Sequence, residues 1–176
     1  MNQQHPRNDT QRDAFKFQSL VRALSKARQE VKQLESGGNV DLVGMLARLL
    51  PEIAKVLDAQ HAFVAEQKGS GENERLWLQI VWAYPQQELS GHHLEQIGVF
   101  EQLLRSGQSR VIAPLEDSPQ ALVLGLEVFN ATSAILVRAQ TAEITYVVGL
   151  CNKKQQDQSG PFLAADRTMI ESILEL

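Results

Sequence analysis

The chain has 176 residues, 43% of them hydrophobic, and its 17 basic and 21 acidic side chains leave a formal charge of −4. That length supports one domain with a sizeable core plus an appendage, and the charge lacks the clustered basic excess that nucleic-acid binding needs. The single cysteine, Cys151, excludes an intrachain disulfide framework and a cysteine-rich metal site.

Residues 1–12, rich in Asn, Gln and Arg, are expected to be a disordered tail with no apolar signal segment. No apolar run is long enough to span a bilayer, and the single cysteine leads to the expectation of a reducing, cytoplasmic compartment. An amphipathic helix follows from about Asp13 to Leu34, in a segment bounded at residue 36. Its apolar residues Phe17, Leu20, Leu24, Ala27, Val31 and Leu34 step alternately by three and four, as in a heptad seam. The narrow stripe and charged flanks suggest an intermolecular or bundle seam; packing on the chain's own domain is the plainer alternative. A parallel zipper would set Glu30 against Glu35, and Val21 widens the stripe, so a bundle of more than two helices fits better.

The stretch SGGN (36–39) ends that helix, and Asn39 or Asp41 can cap the next. The second helix presents Val43, Leu46, Leu50, Ile53 and Leu57 on one face, with Pro51 expected to kink it. The period then changes. HAFVAEQ (61–67) reads as a strand and KGSGENE (68–74) as a turn. In the strand RLWLQIVWA (75–83), Leu76, Leu78, Ile80 and Trp82 share one face, and Trp77, Gln79 and Val81 the other. After the loop YPQQELSGHH (84–93), residues 94–108 read as a helix ended by Gly107, and SRVIA (109–113) as a short strand. Residues 116–130 begin like a capped helix, with Asp117 or Ser118 at the cap and Pro119 in the first turn. SAILVRA (133–139) and ITYVVGLC (144–151) form a hairpin through QTAE. A closing helix runs from about Leu163 to Leu176 with its apolar face still running, so it is expected to continue into a further domain. Hairpin-linked strands interrupted by helices predict an α+β fold: one antiparallel sheet of about five to six strands with helices on its faces.

Three segments of this order resemble a GAF domain, a small sensory module built on an antiparallel sheet. They are LLPEIAKVLDAQHAFVAEQ, GQSRVIAPL and the run from ITYVVGLCNKK to Asp166. The resemblance covers roughly Asn39 to Leu176 and makes residues 37–176 a GAF-like sensor domain. The third segment is the most specific. GAF domains of cyclic-nucleotide phosphodiesterases and some cyclases carry Asn-Lys, a variable loop, Phe, three residues and Asp-Glu. Here Asn152, Lys153, Phe162 and Asp166 fill four of those places, while Arg167 stands where the family has Glu. Lys153 and Asp166 are expected to pair across the loop over a packed Phe162, clamping the strand end to the start of the closing helix. A solvated surface pair is the alternative.

The resemblance implies a ligand site on one sheet face, under the segments Leu94–Leu104 and Ser118–Phe129. Glu127, Asn130, Thr132 and Ser133 would offer polar groups to a cyclic nucleotide or another small effector. The plainer alternative is that Asn130, Thr132 and Ser133 only end a helix and start a strand. The apolar run ALVLGLEVF leaves a self-filled pocket open as a second possibility. His92 and His93 are adjacent and cannot converge on one ion, so no metal site is expected, although one axial imidazole would suffice for a haem. No Ser-His-Asp spacing, phosphate-cradling loop or paired catalytic carboxylates appear, so no catalysis is expected in this segment. The expected role is a regulatory sensor, dimeric through residues 13–34 and 163–176 and acting on a C-terminal output domain. A ligand-free structural dimerisation module is the alternative.

Overall fold

The structure, a computed structural model, describes residues 41–69, 77–95, 98–118, 120–141, 143–155 and 158–174, together with Gln18, Val21, Arg22, Ser25 and Gln29. Those five isolated positions are helical and exposed. The rest of the expected N-terminal helix, all its seam residues and the expected tail lie outside the described residues.

The first described helix, α1 (Leu42–Val56), starts at Asp41, whose carboxylate accepts the Gly44 N–H at 2.9 Å. Of the two capping candidates, Asp41 is the one that acts. The helix continues through Pro51 and buries Met45, Leu46, Leu49, Leu50, Ile53 and Ala54 along one stripe. It leads into β1 (Ala59–Lys68), which pairs with β2 (Trp77–Tyr84). Next come β3 (His93–Leu94), α2 (Val99–Ser106), β4 (Arg110–Ile112), β5 (Ala134–Gln140), β6 (Thr145–Gln155), β7 (Gln158–Gly160) and α3 (Ala164–Leu174). The seven strands form one sheet in the order β3-β2-β1-β6-β5-β4, with β7 on β6, and every pairing is antiparallel. This is the expected α+β architecture, with two very short strands added.

Alternation along the central strands divides the core into two layers. Ala62, Val64, Ile135, Val137, Val148 and Leu150 face α1 and α3. Phe63, Ala65, Leu136, Val147 and Cys151 face α2 and the segment 123–131, which forms a roof over the sheet. Among the described residues no helix is long and apolar enough to cross a membrane.

Four local expectations are corrected. Trp82 does not share a face with Leu78 and Ile80. The register slips between Val64 and Ala65, which pair with Trp82 and Ile80, leaving Val81 as an extra residue. That bulge turns Trp82 toward the α1 layer while Leu78 and Ile80 stay under the roof. The expected helix does not begin at Leu94: Leu94 pairs with Leu78, and α2 starts only after Gly98, at φ 56°. The described residues of the segment 116–130 form no α-helix. Gly125 adopts φ 91°, and the segment keeps one 3-10 turn, Glu127–Phe129, closed by Asn130 at φ 47°. Positive φ cannot be carried through an α-helix. Finally, the strand expected to end at Cys151 runs on to Gln155 and pairs with β7, with Lys154 opposite Ser159.

Phe63 lies flat on the sheet where Gly149 stands. A Cβ at Gly149 would come within 2.1 Å of the Phe63 ring, and Phe63 in turn stacks on Phe129 at 4.8 Å. Gly149→Ala is therefore expected to lower stability by about 1–3 kcal/mol through overpacking. Chemical denaturation measures this; an unchanged midpoint would mean that the rings move aside freely.

Candidate functional site

Asn152 interrupts β6 with φ 56°, a left-handed conformation that Asn tolerates better than most residues. Its side chain is buried and fully engaged. The Thr132 N–H donates to its Oδ1 at 2.9 Å, while its Nδ2 donates to the carbonyls of Asn130 at 3.1 Å and Phe129 at 3.3 Å. Its own N–H donates to the Ser133 carbonyl at 2.9 Å. One residue of the central sheet thus fixes the end of the roof segment.

The next residue fastens the opposite layer. Lys153 Nζ donates to Asp166 Oδ2 at 2.6 Å, and the two side chains are only 19% and 12% exposed. The same oxygen accepts the Leu163 N–H at 2.8 Å. Asp166 thereby satisfies one of the donors left free at the start of α3, as the acidic half of a capping box does. Phe162 is buried beneath, with the ammonium 5.9 Å from its ring centre. Lys153 is also tied to the roof side, because its N–H donates to Ser133 Oγ at 3.4 Å.

Of the four residues expected at a ligand rim, Asn130, Thr132 and Ser133 are therefore drawn into the contacts with Asn152 and Lys153. Ser133 is wholly buried. Glu127 is exposed, and its Oε2 accepts the Gly125 N–H at 2.9 Å. It lines a cleft of about 360 Å³ together with His93, Leu94, Glu95, Leu124, Gly125 and Val128. Of the other cleft residues, His93 was read in a loop and weighed only as a metal or haem ligand, and the remaining five were not singled out from sequence, because both of their segments were read as helices. Gly125 was the available signal, since an isolated glycine in an apolar run lowers the case for a helix.

The space between roof and sheet is occupied by the chain's own rings. Phe63, Phe100 and Phe129 are among its largest fully buried side chains. Cys151 faces the same layer, and burial pushes its thiol far above the ordinary range, which denies it thiolate reactivity at neutral pH. Among the described residues no group of three or more His, Cys, Asp or Glu side chains is placed to hold a metal ion.

Asn152→Ala removes four side-chain hydrogen bonds, three of them to backbone groups, and leaves those groups unpaired. It is expected to cost about 2–4 kcal/mol, and Asn152→Gly, which tolerates the backbone, somewhat less. Equal losses in denaturant titrations would place the cost in the hydrogen bonds alone.

No protein-family model matches the sequence, and no curated protein is significantly similar to it. Solved structures are similar in fold. The GAF domain of the phosphoenolpyruvate-protein phosphotransferase from Acinetobacter superposes with a TM-score of 0.60 at 12% identity, covering 91% of this chain and 88% of that one. The phycocyanobilin-bound GAF domain of a cyanobacterial phytochrome gives 0.60 at 12% identity, covering 89% and 90%. The GAF domain of a two-component sensor histidine kinase from Bacillus halodurans gives 0.52 at 14% identity, covering 78% and 90%. With the sheet order, the two-layer core and the Asn152–Lys153–Phe162–Asp166 constellation in place, the fold of this chain is that of a GAF domain.

Proposed function

We propose that the chain is a regulatory, non-catalytic module of a larger signalling protein, one that passes changes at its roof to the helix α3 and so to an output domain beyond it. The observation that carries this reading is the adjacency of Asn152 and Lys153. One holds the roof segment, the other holds the first turn of α3, and a single backbone step joins them. A shift of the roof that reoriented Asn152 would alter the bracket on α3, the small rigid displacement that two-state relays use. Similar folds in a sensor kinase and a phosphotransferase support the class of role.

The effector site in this reading is the cleft at the roof's edge. Its volume suits a small molecule. The carboxylates of Glu95 and Glu127 at its rim oppose the phosphate of a cyclic nucleotide and favour a neutral or cationic effector, with Leu124 and Val128 meeting its apolar part. The phycocyanobilin of the phytochrome domain supports small-molecule binding by this fold. The packed Phe63, Phe100 and Phe129 support the second reading, a structural dimerisation module whose interior takes no ligand. In both readings the chain is cytoplasmic and dimerises through residues 13–34 and 163–176.

Two measurements test these readings. A thermal-shift panel of amines, neutral metabolites and cyclic nucleotides should yield a stabilising amine or neutral compound whose effect is lost in Glu127→Gln; a silent panel favours the structural module. Light scattering should give a dimer for the full chain and a monomer for the chain lacking residues 1–36. Two monomers would end the bundle model. The relay makes its own demand: Asn152→Ala should raise amide exchange at the start of α3, and protection unchanged there would disconnect the two layers.

A further inference from the structure

At the other edge of the sheet from the cleft, two arginines lie side by side without a counter-charge among the described residues. Arg110 on β4 pairs with Leu136 on β5, so the two side chains share a face, and Arg138 follows two residues along on that same face. Leu136 packs under the roof, which places both arginines on the roof side. Diagonal neighbours of this kind have Cα atoms about 7–8 Å apart, within reach of two guanidinium groups converging on one ligand. Both are half-buried, and the Nε of each is shielded from solvent with no hydrogen-bond partner. Arg138 Nη2 donates to Gln140 Oε1 at 2.8 Å, and its Nη1 lies against Gly107 at the end of α2.

Lys55, Lys68, Arg105, Lys153 and Arg167 each pair with a carboxylate, whereas among the described residues no carboxylate pairs with Arg110 or Arg138. Acidic side chains outnumber basic ones along this chain, 21 to 17, yet none of the described ones pairs with either arginine. Two like charges on neighbouring strand positions repel, and half-burial without a counter-charge among the described residues adds a desolvation cost. An oxyanion removes both penalties, since each planar guanidinium can offer it a pair of parallel N–H donors.

We propose that Arg110 and Arg138 form a binding site for the oxyanion of a small molecule, a phosphate or a carboxylate, separate from the acidic cleft at the β3 edge. The test compares melting temperatures in sodium chloride, sodium phosphate and sodium malonate at matched pH and ionic strength. For the natural sequence, phosphate or malonate at ten times its dissociation constant should raise Tm by about 2–4 °C over chloride. Arg110→Gln and Arg138→Gln should each lose that increment, while Arg105→Gln, which alters only an exposed pair with Glu101, should keep it. Which anion acts identifies the group as phosphate or carboxylate. Phosphate also stabilises proteins by general exclusion from their surface, so an increment that persists unchanged in both Gln variants overturns the site. No increment over chloride overturns it too. Should either Gln variant fail to fold, the Lys variants keep the charge but lose the fork, and an undiminished increment in them counts equally against the proposal.

Discussion

The structure depends most on the amide of Asn152. Two carbonyls and one N–H at the end of the roof converge on this buried amide, and this one side chain supplies all three partners. Its left-handed backbone is the condition for doing so, because the break in β6 aims the amide across the sheet at the 3-10 turn. Neither a regular strand nor a carboxylate would serve: the first would aim it elsewhere, and the second has no donors for the carbonyls.

From that point the two layers are coupled by chain connectivity. Asn152 belongs to the roof and Lys153 to the helix layer, so the Lys153–Asp166 pair sets where α3 begins relative to a roof fixed one residue earlier. The pair lies between exposed and buried. Removing one partner would cost more than at the surface, yet the intact pair adds only modestly to stability. Its value is positional: Asp166 holds the Leu163 N–H and the ammonium with a single oxygen, and Phe162 fills the space beneath them.

Much of this was legible in the sequence, for physical reasons that differ by element. The stripe of α1 and the alternation of β5 and β6 are strong periodic signals, and the order of strands and helices followed from them. The constellation from Asn152 to Asp166 was legible as a spacing, including the ion pair. The part played by Asn152 was not, because its partners are backbone groups that leave no side-chain signature. The apolar run from Ala121 to Phe129 has no clean period, so a helix was expected where Gly125 and Asn130 turn the chain instead. In β2 a single extra residue, Val81, inverted the face of Trp82, and periodicity cannot signal a bulge. The strands β3 and β7, of two and three residues, are too short to show a pattern.

The pairing of Trp77 with His93 has a practical side. The rings lie 4.1 Å apart, and His93 also borders the cleft, while Trp82 sits in the helix layer beside Tyr84. Indole emission is sensitive to a neighbouring imidazole and to its charge. One of the two native fluorophores therefore already stands next to the cavity mouth and the other well away from it, giving the molecule an intrinsic optical reporter and an internal reference without any added dye.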